Sequence, residues 1–194
     1  RYIPVPRGDG LCRVASIHAG DIVIRVVVTG SECTGKTTLA AALAGHYATV
    51  WVPEYVRQFV ADKGAAPEYS DVDAIARGQI EIEDTISASA SALLILDTDL
   101  LSTMIYSHHY YGACPAWIEE TVRTRAGDLY LLADIDVPWV PDGQQRDRGD
   151  RRQEMQELFR QTLSDLDLEF VEISGPAEAR LRTAIPVIDS LLTD

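Results

Sequence analysis

Eight residues, Gly30-Ser31-Glu32-Cys33-Thr34-Gly35-Lys36-Thr37, have the types and spacing that hold a chain of phosphates. The pattern is G-x-x-x-x-G-K-[ST], and each part has a physical task. The glycines permit backbone conformations that turn consecutive N–H groups toward one point. The N-terminus of a following helix adds its positive end to that cradle. Lys36 is long enough to reach β- and γ-phosphates, and the Thr37 hydroxyl is a hard oxygen ligand for Mg²⁺. The expected nucleotide-binding set is this loop together with Thr38. It implies a nucleoside triphosphate, ATP with Mg²⁺.

Carboxylates follow at places suited to such a ligand. The apolar run 93–96 ends in Asp97, where P-loop enzymes carry the carboxylate that holds Mg²⁺. Asp99 stands two residues on. One acid there can serve the metal and the other a substrate hydroxyl, with a cap of the next helix as the alternative for Asp99. Farther back, Val52-Pro53-Glu54-Tyr55-Val56-Arg57 delivers an acid and a base to one edge. Glu54 can orient or deprotonate a nucleophile and Arg57 can neutralise phosphate. The plainer reading is a helix-start Glu, favoured by the helix dipole, beside a surface Arg. Residues 142–152 form a polar loop with Arg146, Arg148, Arg151 and Arg152. Arginine stabilises charge on a transferring phosphoryl group, so the loop reads as a lid. One or two of its arginines are expected to act, with Arg148 and Arg152 as the candidates. A solvated loop of Asp–Arg pairs is the alternative.

These residues need a scaffold, and strands alternate with helices from Asp21 onward. Residues 22–28 are a β-branched run fit for a central parallel strand, and a helix is expected over Lys36–Tyr47. Further strands are expected at 49–52, 93–97, 129–132 and 170–173, with a helix from Tyr55 to Ala61. Ser70 and Asp73 resemble a capping box before Val72, Ile75, Ala76, Ile82 and Ile86. Met155, Leu158, Phe159, Leu163 and Leu166 mark one face of another helix. Ser174 is placed to cap a last helix opened by Pro176, and Pro186 to kink or end it. The expected fold is α/β, a P-loop NTPase sheet of parallel strands sandwiched by helices, with an Arg-rich lid. Residues 1–20 read as an N-terminal extension to a kinase-type domain at 21–194, and the missing initial Met reads as a trimmed or partial chain.

The 194 residues, 46% hydrophobic and 24% charged, have the composition of a soluble domain with a sizeable core. A net charge of −13 argues against nucleic acid as a partner, and no apolar run is long enough to span a membrane. Cys12, Cys33 and Cys114 share no short metal-ligand spacing, which points to reduced thiols in the cytoplasm. A guanine-reading Asn/Thr-Lys-x-Asp segment and a Ser-Gly-Gly signature are both missing, which disfavours GTPases and ABC-type ATPases.

Beyond these generic features, an ordered series of motifs resembles the ribosylnicotinamide kinase domain of NadR-type regulators, from about Arg25 to Leu191. It comprises the P-loop, Glu54-Tyr55-Val56-Arg57-Gln58-Phe59, Tyr69-Ser70-Asp71, Gly78-Gln79, Leu96-Asp97-Thr98-Asp99, Tyr110-x-Gly112 and Trp139-Val140-Pro141-Asp142-Gly143. The resemblance implies transfer of the ATP γ-phosphate to the 5′-hydroxyl of nicotinamide riboside. It would put Asp99 near the riboside hydroxyls and Glu54 and Tyr55 in the substrate pocket. In that family a Trp precedes the Glu-Tyr pair and stacks on the nicotinamide ring. Here the position is Pro53, and Trp51 either substitutes from the same strand face or belongs to the core. The remaining alternatives are a kinase for another nucleoside or small alcohol, and an ATP-binding regulatory module without turnover.

Overall fold

The computed structural model describes residues 23–138 and 151–193. Its sheet contains β1 (Ile24–Thr29), β2 (Trp51–Val52), β3 (Leu93–Asp97), β4 (Leu129–Ala133) and β5 (Phe170–Ile173). The order is β2-β3-β1-β4-β5, parallel throughout. Parallel neighbours require crossovers, and helices supply them. They are α1 (Lys36–Tyr47), α2 (Tyr55–Lys63), α3 (Val72–Ser87), α4 (Leu100–Tyr111), α5 (Ala116–Thr124) and α6 (Arg152–Asp165), with α7 (Ala177–Thr193) closing the chain.

Strand alternation divides the core into two layers. Val26, Val28, Ile95 and Leu131 face α1 and α7, meeting Leu39, Leu43, Ala184 and Ile188. Val27, Leu94, Leu96 and Leu132 face the other helices, meeting Leu101, Ile118, Met155 and Phe159. Both faces are covered, which is why β1, β3 and β4 are near-continuous apolar runs. β1 lies between β3 and β4, with Val28 opposite Asp97. The loop after β1 and the end of β3 therefore emerge side by side at the C-terminal edge, where open α/β sheets bind ligands.

The parallel sheet between helical layers and the bounds of α1 match expectation. Several local readings change. β2 is only Trp51–Val52, and α2 runs on to Lys63, where Gly64 stops it in a left-handed conformation with φ 68°. The capping box before α3 is formed by Glu68 and Asp71 around a short 3-10 turn, not by Ser70 and Asp73. Asp73 is taken by Arg77 and by the Trp117 indole N–H, at 2.8 Å each. Leu158 is exposed, whereas Met155, Phe159 and Leu163 are fully buried. Pro176 precedes α7, its carbonyl accepting from Ala179 and Arg180, and Pro186 sits inside α7 without ending it. α4 and α5 are additions from the structure; α4 is weakly amphipathic, and α5 is a short helix that buries Ile118 and Val122. The 1–20 extension and residues 139–150, with Arg146 and Arg148, lie outside the described residues, whereas Arg151 and Arg152, expected in the loop, stand at the start of α6. Among the described residues no helix is long and apolar enough to cross a membrane.

Candidate active site

The P-loop joins β1 to α1, and its backbone conformation explains its glycines. Gly30 has φ 124°, and a Cβ there would lie 2.8 Å from the Ala133 carbonyl oxygen. Gly35 has φ 79°, the left-handed region that favours glycine. The loop is also braced from within: the Thr34 hydroxyl and the Lys36 ammonium both donate to the Ser31 carbonyl at 2.8 Å. Three side chains from the C-terminal half support it from outside. Gln156 accepts from Ser31 N–H, Arg152 donates to the Cys33 carbonyl at 3.3 Å, and Arg180 donates to the Thr34 carbonyl at 2.5 Å. Arg180 is 2% exposed and also binds the Gly175 and Asp134 carbonyls and Asp136. Burial alone would raise the Asp136 carboxyl, but the Gly175 N–H and Arg180 hold it below its ordinary value. Nothing in sequence distinguishes Gln156 or Arg180 from other polar residues of amphipathic helices.

Asp97 meets the loop from β3. The Thr37 hydroxyl donates to its Oδ2 at 2.5 Å, while Oδ1 is buried without a hydrogen-bond partner. Burial raises this carboxyl above its usual range, the Glu54 charge adds to the rise, and Thr37, Lys36 and Arg57 oppose it. A buried oxygen without a donor beside a threonine hydroxyl is the hard-oxygen environment that suits Mg²⁺, so Thr37 and Asp97 fit that ion.

The next two residues decide where the second aspartate goes. Thr98 has φ 68°, a strained conformation for a β-branched residue, with its N–H tied to the Val28 carbonyl. After this kink Asp99 turns inward. It accepts from Leu101 N–H at 3.1 Å as the N-cap of α4, and from the Tyr130 hydroxyl at 2.7 Å. It is 5% exposed and is absent from the walls of the cleft described below. Burial pushes its carboxyl up to about 7, against the Tyr130 hydrogen bond and with Glu83 adding to the rise. The structure thus shows the helix-cap geometry for Asp99.

A cleft of about 250 Å³ opens beside the P-loop. That is just below the ~300–1,000 Å³ typical of small-molecule sites, so it suits a compact ligand. Its polar end carries Lys36, Glu54, Arg57, Thr98 and Ser102; Tyr106, Tyr110 and Tyr111 of α4 line another part of its wall. Glu54 is 15% exposed and accepts from Arg57 Nε at 2.8 Å, Arg57 itself being 54% exposed. The start of α2 is anchored from α3. Gln79 accepts from Tyr55 N–H at 2.9 Å and donates to Glu83, which is held by Arg25 and Arg125. The Tyr55 ring packs where Gly78 has no side chain, and a Cβ there would fall 2.1 Å from Cε1. Tyr55 thus packs against α3 and is not among the residues that line the cleft. Trp51 is half-buried among the apolar residues under α1 and α7, in the opposite layer from Val52, and does not line the cleft. Arg152 is 8% exposed and spans the Val137 and Cys33 carbonyls, which ties it to the rim of the P-loop. Of the α4 wall the sequence marked only Tyr110, in the Tyr110-x-Gly112 motif, because the Ser-His-His-Tyr-Tyr segment has no apolar period.

Comparison with known proteins places this geometry. The family model for the AAA domain matches residues 25–180. The trifunctional NAD biosynthesis/regulator protein NadR of Escherichia coli is 31% identical over 154 residues, covering 76% of this chain and 37% of that protein. Its Salmonella typhimurium counterpart is 30% identical over the same length. The chain therefore spans little more than a third of the curated relatives it matches. Among solved structures, NadR in complex with NR aligns with TM-score 0.76 at 23% identity, covering 89% of this chain and 52% of that one. Thymidylate kinase from Ehrlichia chaffeensis aligns with TM-score 0.66 at 16% identity, over 86% and 98%. These structural likenesses show a fold shared with P-loop kinases.

Proposed function

From the premise that this chain belongs to the AAA domain family and is homologous to NadR, we propose that it is an ATP-dependent kinase acting on the 5′-hydroxyl of nicotinamide riboside to give nicotinamide mononucleotide. The observation that carries this reading is one cleft that joins Lys36 and Glu54 to a tyrosine-lined wall. Lys36 leaves the Ser31 carbonyl for the β- and γ-phosphates of ATP. Thr37 and Asp97 would hold Mg²⁺, which would offset the negative charge of the phosphates. Glu54 accepts the hydrogen bond of the acceptor hydroxyl and aligns it with the γ-phosphate, a positioning task because the transition state is loose. Arg57 fixes the Glu54 rotamer and adds positive charge beside the transferred group. Tyr106 and Tyr110 offer flat apolar surface to a planar base. Asp99 serves this site indirectly, by fixing the start of α4.

The test is ADP release with a panel of acceptors. Nicotinamide riboside should drive it and yield a product heavier by one phosphoryl group. Release of ADP independent of any riboside, or ATP binding without turnover, would sink the proposal. A second reading, a kinase for another nucleoside, is favoured by Trp51, which lies away from the cleft instead of offering a ring to nicotinamide. Preference for a different nucleoside in the same panel would select it.

A further inference from the structure

The corner between α4 and α5 carries chemistry that the cleft does not use. His108 lies in the last turn of α4, Cys114 in the connection and Glu119 in α5. One ligand atom from each lies within 4.8 Å of the others. His108 Nε2 and Glu119 Oε1 are 2.9 Å apart, and their side chains are 49% and 45% exposed, so an ion could enter from solvent. Cys114 is half-buried against the apolar layer. The short connection is pinned: Gly112 N–H donates to the His108 carbonyl, the Ser107 hydroxyl to the Ala113 carbonyl at 2.6 Å, and the Tyr111 hydroxyl to the Pro67 carbonyl at 2.8 Å. These three side chains therefore stand on a braced backbone, which reduces the ordering a ligand must impose.

The thiol is unsuited to nucleophilic or redox work. Burial pushes Cys114 up to about 11, against a hydrogen bond with Ser107 and with Glu119 adding to the rise. A protonated thiol attacks and oxidises slowly. Coordination reverses the balance, because a bound cation deprotonates a ligating thiol. Imidazole nitrogen, thiolate and carboxylate form the mixed donor set that suits zinc, and the two anions offset its charge.

We propose that His108, Cys114 and Glu119 bind one zinc ion at the α4–α5 corner, with water in the fourth position. The ion would clamp the end of the helix that supplies Tyr106, Tyr110 and Tyr111 to the cleft wall, without entering the cleft. The test uses tag-free chain titrated with Co²⁺ as a spectroscopic stand-in. One equivalent should produce a thiolate-to-metal charge-transfer band that Zn²⁺ abolishes. Cys114→Ser should lose the band. His108→Ala should weaken binding at least ~100-fold, since loss of even an outer-shell partner costs ~10–100-fold. Zinc should also raise the melting temperature of the wild type and leave that of Cys114→Ser unchanged. Circular dichroism checks that both variants fold. Absence of the band in the wild type, or its persistence in Cys114→Ser, would overturn the proposal.

Discussion

Asp97 and Asp99 are two residues apart in sequence and serve different surroundings. Asp97 keeps one oxygen on Thr37 and turns toward the P-loop, whereas Asp99 spends both oxygens inside the protein. The sequence offered either role for Asp99. The choice rests on the Thr98 backbone at φ 68° and on Tyr130, 31 residues away, and both belong to tertiary packing. The Asp99 environment also sets a pH dependence. Its ordinary value is 3.8, and burial raises it to about 7 in the folded chain. Between those values the folded state holds a proton that the unfolded chain has released. The stabilisation is complete below 3.8 and is lost as the pH rises through about 7. Asp99→Asn, neutral throughout, should therefore gain on the wild type as the pH rises through this window. The difference should reach a few kcal/mol, since each pH unit between the two values contributes ~1.4 kcal/mol. Urea unfolding midpoints of both proteins across that range measure it, and a flat difference would remove the buried proton from the account.

At the scale of elements, the cleft depends on how closely α2 packs on α3. Gly78 and Gln79, which stood out in sequence only as part of a family motif, have a physical reason here. One leaves room for the Tyr55 ring and the other holds the Tyr55 N–H, and together they set where Glu54 emerges. Two glycine substitutions separate this packing from simple helix propensity. Gly45 in α1 is exposed and has open space around it, so Gly45→Ala should stabilise by ~0.5–1 kcal/mol. Gly78→Ala gains the same propensity but drives a methyl into Tyr55, and overpacking costs ~1–3 kcal/mol. The melting temperature should rise for the first and fall for the second. Riboside-dependent turnover should fall only for the second, because only there does Glu54 shift. Equal effects of the two substitutions would mean that the Tyr55 contact yields without consequence.

Across the whole molecule, the legible parts of the sequence were those governed by local rules. The P-loop, the β-branched and leucine-rich strands and the bounds of α1 follow from spacing and periodicity. What remained hidden depends on distant partners: the Arg180 clamp across the P-loop, the Tyr55–Gln79 anchor, and most of the α4 wall of the cleft. The sheet unites these parts by bringing the ends of β1 and β3 together in register. Under the proposed function Glu54, and not Asp99, aligns the acceptor hydroxyl over an ATP site built by the P-loop. Calorimetric titration of Mg·ATP beside riboside-dependent ADP release, for Glu54→Gln and Asp99→Asn, tests it most directly. Glu54→Gln should bind Mg·ATP nearly as the wild type does and lose turnover by at least ~10²-fold, the scale of a misplaced attacking group. Asp99→Asn should bind and turn over within a few-fold of the wild type at neutral pH. Full turnover in Glu54→Gln, with turnover lost in Asp99→Asn, would assign the positioning of the hydroxyl to Asp99 instead.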